Sequence, residues 1–170
     1  MSDGTPEIQA TRHVDAGTEA VYDLVADITR MGEWSPENRG GEWLDGATGP
    51  EVGARFRGHN KRKASWKTTA VVTESRRGAV FAFAVGTKAP DHPETTWRYT
   101  FTPSGTGCDV TETCEIVREP GLLGRVLTKL ATGVAWADRP RDLVQGMDET
   151  LRRLAVAAER QTAPARGSRT

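Results

Sequence analysis

Between Gly40 and Arg118 the chain is a succession of strand-length segments, and no other feature limits its fold as strongly. GEWL (41–44), ARFRGHN (54–60), SWKTTAVVTES (65–75), AVFAFAV (79–85), TTWRYTF (95–101) and DVTETCEIV (109–117) read as strands. Turn-rich breaks separate them: DGATGPEVG, KRK, RRG, TKAPDHPE and PSGTG. Consecutive strands with such short connections predict an antiparallel meander. The clearest alternation sets Trp97, Tyr99 and Phe101 against Thr96, Arg98 and Thr100.

Helical periodicity frames this run. Ile8, Ala10 and Val14 mark a first strand, with Arg12 on their side. After the break DAGT, Val21, Leu24, Val25 and Ile28 recur at the spacing of an amphipathic helix. A second short helix is expected from Thr29 to Glu33, ending before SPEN because Pro36 disfavours helix at Ser35. Beyond Pro120, Leu122, Leu123, Val126, Leu127 and Leu130 form an apolar stripe on another short helix. Asp138 is a suitable N-cap for the last helix, with Pro140 tolerated in its first turn. That helix carries Leu143, Met147, Leu151, Leu154 and Ala158 on one face. A curved sheet needs such a stripe over its concave side, so the class is α+β.

At 170 residues the chain has the length of one domain, expected over 7–160. Residues 1–6 read as a loose start and QTAPARGSRT (161–170) as a disordered tail. Lys+Arg and Asp+Glu both number 23, a balance that argues against gripping nucleic acid as the main work. No apolar run is long enough for a membrane span, and the polar start MSDGTPEIQ does not read as a secretory signal. Cys108 and Cys114 fall on one strand, roughly 20 Å apart at ~3.3 Å per residue, too far for a disulfide. Free thiols suggest a reducing cytoplasm. Monomer and homodimer are both compatible with the pattern.

The order of elements, with the residues filling it, resembles the START-related helix-grip (SRPBCC) superfamily, and within it the bacterial polyketide cyclase/dehydrase-like branch. The matching pieces are VDAGTEAVYDLVADITRMGEWSPE (14–37), VGARFRGHN (52–60), TTAVVTESRRGAVFAFAV (68–85), TTWRYTFTPSGTGCDVTETCEI (95–116) and GMDETLRRLAVAAE (146–159). The resemblance implies a helix-grip fold, a curved antiparallel sheet wrapped around a long C-terminal helix with a cavity between them. It also implies a hydrophobic ligand, polyketide-like or lipid-like. Members range from cyclases to carriers, so fold does not settle chemistry.

Strand parity sorts side chains within that frame. Phe56, Trp66, Val72, Trp97, Tyr99, Phe101, Val110, Cys114 and Ile116 are expected to point inward. Asn60, Thr68, Tyr99 and Glu112 are polar residues of the same parity, as in an apolar pocket with a few fixed polar groups. The expected ligand site has Glu112, Tyr99 and Asn60 orienting the guest, Trp66, Trp97 and Phe101 as walls, and Thr68 beside them. Trp34 either joins the pocket rim or, the favoured reading, staples helix to sheet.

Glu112 is the sharpest candidate. It can be a structural carboxylate, paired with Arg12, hydrogen-bonded to Tyr99, or turned outward by a bulge. It can orient a ligand, or it can serve as the general acid/base of a cyclase or dehydratase. His13 and His59 have outward parity and His92 lies in a Pro-flanked loop; none has metal-ligand or triad spacing. No metal or nucleotide motif occurs, so no cofactor is expected. The basic hairpin around Arg57 and Lys61 to Lys63 reads first as a solvated face, with phosphate or RNA contact and a protein-interaction module as the rivals. The Leu122–Leu130 stripe is a lid, ordinary packing or a membrane-surface helix. The last has thin support from Arg125 and Lys129 alone.

Overall fold

From the third strand on, each strand pairs with the one before it, and the first strand pairs with the last, which leaves the first and second at opposite edges. The computed structural model describes residues 8–162. The strands are β1 (Ile8–Val14), β2 (Asn38–Trp43), β3 (Arg55–Lys61), β4 (Ser65–Arg76), β5 (Val80–Val85), β6 (Thr95–Ser104) and β7 (Gly107–Ile116). They form one antiparallel sheet in the order β1-β7-β6-β5-β4-β3-β2. Helix α1 (Thr18–Ala26) and a 3₁₀ turn (Ile28–Glu33) follow β1, while α2 (Leu122–Thr132) and α3 (Arg139–Thr162) follow β7. The sheet is curved and does not close, and the long α3 covers its concave side. The chain is thus an α+β helix-grip domain.

Local chemistry explains the bends. Register slips between Asn38 and Gly41 in β2, and between Val72 and Glu74 in β4, mark irregularities that curve the strands. Gly40 sits in the first with φ +116°, and a Cβ there would lie 2.9 Å from the Thr29 carbonyl oxygen. Only glycine fits both the backbone and the space. Met147, Leu151, Leu154 and Ala158 of α3 are buried as the apolar stripe requires. At the far end α1 seals the sheet, with Tyr22 edge-on to Phe101 and Phe81 at 5.7 and 6.3 Å between ring centres. Cys108 and Cys114 are buried free thiols on β7.

The end of α3 and the face of α2 bear on two points that the sequence left open. α3 runs to Thr162; the expected loose start 1–6 and residues 163–170 of the expected tail lie outside the described residues, which begin at Ile8. The α2 stripe is not packed. Leu122, Leu123, Val126, Leu127 and Leu130 are exposed, whereas Thr132 is buried and Gly124 and Thr128 are half-buried. Both threonine hydroxyls donate back to carbonyls four residues earlier, so the polar face can turn inward without unsatisfied groups.

Leu154 has no exposed surface, whereas Val156 on the same helix faces solvent. Leu154→Ala is therefore expected to cost about 2–4 kcal/mol, and Val156→Ala within about 0.5 kcal/mol of nothing. Urea unfolding of both variants checks this, and equal losses would contradict α3 as the element that fills the concave face.

Candidate functional site

β6 and β7 place Tyr99 directly opposite Glu112, so the two side chains rise from the same concave face. The Tyr99 hydroxyl donates to Glu112 Oε1 at 2.7 Å. Glu112 is 3% exposed, and its other oxygen, Oε2, is buried with no hydrogen-bond partner among the described residues. Arg12, the alternative partner, is exposed on the edge strand β1 opposite Val110. The carboxyl group therefore keeps one satisfied oxygen and one open oxygen.

A cavity of about 790 Å³ lies in front of this pair, between the concave face and α3. Trp34, Asn60, Trp66, Thr68, Trp97, Tyr99 and Glu112 all line it. Trp34 does so while being nearly fully buried, with the Arg30 guanidinium 5.6 Å from its ring centre, so it serves as staple and wall together. Phe101 does not line the cavity. Its parity is inward as expected, but it lies beyond the closed end, where Tyr22 of α1 covers it. Phe83 supplies aromatic wall that alternation did not reveal, stacked edge-on against Phe56 at 5.2 Å. Strand β5 is buried along nearly its whole length, so its sequence has no polar positions to set the period.

A polar chain crosses the floor nearer the mouth. Asn38 donates to Asn60 Oδ1 and Asn60 donates to Thr68 Oγ1, each at 3.2 Å. Gly58 makes room for it, since a Cβ there would meet Thr68 Oγ1 at 2.9 Å and Asn38 Nδ2 at 3.1 Å. The rim is held by charges, most of them joined across long stretches of sequence. Arg139, only 8% exposed at the start of α3, donates to Glu37 at 2.6 Å and to Asp142, and Arg62 of the β3–β4 hairpin donates to Asp142 at 2.7 Å. This network ties β2, the hairpin and α3 together around the opening. His13 bonds Asp109, and His59 lies 3.6 Å from Glu42 on the outer side, while His92 sits in an exposed loop; none of the three lines the cavity.

The environment sets the protonation states. Burial pushes the Glu112 carboxyl up to about 7, with the Tyr99 hydrogen bond pulling the other way. Burial, and then the neighbouring carboxylate, hold the Tyr99 phenol well above its ordinary value, so it remains a donor. The Cys114 thiol is pushed up to about 12 by burial and by Glu112, which leaves it inert as a nucleophile near neutrality. A carboxyl that changes charge near neutrality can accept a hydrogen bond, donate one, or move a proton.

Residues 5–159 match the family described as polyketide cyclase/dehydrase and lipid transport. No protein of curated function matches the chain. Among solved structures, the fold is similar to that of a protein from Chromobacterium violaceum at 18% identity, covering 90% of this chain and 96% of that one, with a TM-score of 0.62. It is similar to a Polyketide_cyc-like protein from Corynebacterium glutamicum at 22% identity, covering 96% and 99% of the two chains, with a TM-score of 0.53. It is also similar to the di-domain ARO/CYC StfQ from the steffimycin biosynthetic pathway, at 16% identity and a TM-score of 0.68. That match covers 91% of this chain and 51% of StfQ.

The Glu112 shift has a stability consequence with a definite sign. The unfolded carboxyl ionises near its ordinary 4.5 and the folded one near 7, so across that window the unfolded chain loses its proton first. Stability contributed by the protonated group is complete below about 4.5 and is lost as pH rises to about 7, by about 3 kcal/mol at most. Glu112→Gln is expected to abolish this loss, so that the variant gains on wild type between about pH 5 and about pH 8 in urea unfolding. Parallel pH profiles for the two proteins would contradict the shift.

Proposed function

Because the chain belongs to the polyketide cyclase/dehydrase and lipid transport family, we propose that it binds or carries a hydrophobic, aromatic or lipid-like small molecule in the cavity between sheet and α3. The observation that carries this reading is Glu112 Oε2, buried among aromatic walls with no hydrogen-bond partner among the described residues: a polar anchor inside a largely apolar hollow. A cavity of about 790 Å³ is within the usual range for small-ligand sites. Apolar burial against Trp66, Trp97, Phe56 and Phe83 supplies affinity, at about 25 cal/mol per Å² before ordering costs. Glu112 with Tyr99 fixes a hydroxyl or other donor of the guest at the deep end, and Asn60 with Thr68 meets polar groups nearer the mouth. Phe101 contributes by backing the closed end. The free thiols fit a cytoplasmic setting, and a small molecule, in place of nucleic acid, is the expected partner.

A second reading is favoured by one observation, the Glu112 value of about 7. A carboxyl so poised serves a cyclase or dehydratase as base and then acid. In a dehydration, Glu112 takes the proton from the carbon between a carbonyl and a hydroxyl-bearing carbon. It then returns that proton to the departing hydroxide, which leaves as water while the double bond forms. Tyr99 holds Oε1 throughout, leaving Oε2 for the transfer.

A matched pair of probes tests the anchor. At about pH 8, 2-naphthol is expected to bind at least about tenfold more tightly than 2-methylnaphthalene by calorimetry, because its hydroxyl donates to a charged acceptor. Glu112→Ala should erase the difference while leaving 2-methylnaphthalene affinity within about threefold. Equal affinities in the wild type would remove Glu112 as the anchor. Loss of dehydration of a β-hydroxy carbonyl substrate in Glu112→Gln, with binding retained, distinguishes the enzyme from the carrier, and retained turnover would remove Glu112 as acid/base.

A further inference from the structure

The apolar face of α2 is turned to solvent: Leu122 is 82% exposed, Leu123 71% and Leu130 65%. Among the described residues, no helix is long and apolar enough to cross a membrane, so this face is suited to lie against a surface. Its border is cationic. Arg125 and Lys129 each follow a stripe residue by three positions, Leu122 and Val126, which places them along one side of the stripe. The basic hairpin meets the other end of the helix. Lys63 and Ala64 donate their backbone N–H groups to the Ala131 carbonyl at 3.0 Å, and the Lys63 side chain lies against Gly133, the left-handed cap of α2. The hairpin's strands carry no acid between Arg55 and Lys67, and between Val117 and Val134 the lone acid, Glu119, is tied to Arg125 at 2.7 Å. Arg55, Arg57 and Arg62 are paired with acids, which leaves Lys63 and Lys129 as cations outside any described ion pair beside this apolar face, with Asp138 of the turn after α2 an exposed acid.

From this geometry we propose that α2 and the β3–β4 hairpin dock the protein on an anionic lipid bilayer surface, with the leucines in the headgroup–acyl boundary and Lys61, Lys63 and Lys129 against lipid phosphates. A second copy is the poorer occupant, because symmetric pairing of two α2 faces would set Lys129 and the hairpin cations against their own copies. A bilayer supplies both the apolar layer and the negative charge. Leu127 and Ala131 of the same helix line the cavity mouth, so docking sets that opening against the membrane. The sequence alone put Arg125 and Lys129 beside the stripe. The fold adds the hairpin and turns the leucines outward.

Co-flotation of the full chain with phosphatidylcholine vesicles containing roughly 30 mol% phosphatidylglycerol tests the proposal. Binding is expected at low salt, with weakening on pure phosphatidylcholine and as ionic strength approaches about 0.3 M. Leu123→Gln with Leu130→Gln should weaken it at least about tenfold at unchanged thermal stability, since both side chains are already in water. Leu122→Gln alone should weaken it less. Lys61→Glu with Lys63→Glu should remove the preference for anionic lipid. Glu112→Gln should bind vesicles like the wild type, which keeps this test separate from the fate of the pocket reading. The proposal is overturned by absence of binding at low salt, by equal binding to neutral and anionic vesicles, by indifference to the leucine changes, or by a solution dimer that those changes dissolve.

Discussion

Glu112 holds its place through a single donor, the Tyr99 hydroxyl opposite it in the sheet, and the rest of the interior is arranged around that limit. A carboxylate removed from water needs several donors or a cation to remain charged cheaply. Here the only candidate cation on β1, Arg12, is in solvent, and Oε2 is left without a described partner. The proton therefore stays on to higher pH, and the group arrives near neutrality undecided between acid and base. A chain that needed Glu112 only for stability would do as well with an apolar residue of similar volume.

The architecture keeps this state available. α3 lies across the concave face and packs tightly at Leu151 and Leu154, yet opposite Glu112 the sheet and helix leave a hollow. Bulges in β2 and β4 curve the sheet away from the helix, and the Arg139–Glu37–Asp142–Arg62 network fixes the separation at the rim. The aromatic row continues past the cavity, from Trp43 through Phe56 and Phe83 to Phe81 and Tyr22, so the hollow has a rigid floor. Rigidity matters because a guest then meets a preformed site and little ordering is needed on binding.

How much of this was legible depended on which physical signal each residue carried. Alternation in TTWRYTF and VTETCEI placed Tyr99 and Glu112 on one face, and pairing of β6 with β7 brought them together. The same signal placed Phe101 inward but could not say how far along the sheet the helix α1 would cover it. β5 concealed Phe83 because both faces of that strand are shielded. The stripe on α2 showed that one face of the helix differs from the other, but not which turns toward the protein. That choice was settled by tertiary contact, with Thr132 buried and Lys63 laid over Gly133. Arg139 and Asp142 stand three apart on α3, an ordinary helix pair, but no local pattern joined them to Glu37, which meets Arg139 across 102 positions of sequence.

The most direct test is the ionisation of Glu112 itself. Carboxyl carbon chemical shifts of protein labelled with ¹³C at glutamate can be followed by NMR from about pH 3 to about pH 9, with Glu112→Gln assigning the resonance. One glutamate is expected to titrate near 7, and its midpoint should fall when a hydroxyl-bearing guest occupies the cavity and donates to Oε2. A Glu112 midpoint near the ordinary 4.5, unmoved by any guest, would contradict the claim that this carboxyl is a buried anchor with one oxygen to spare.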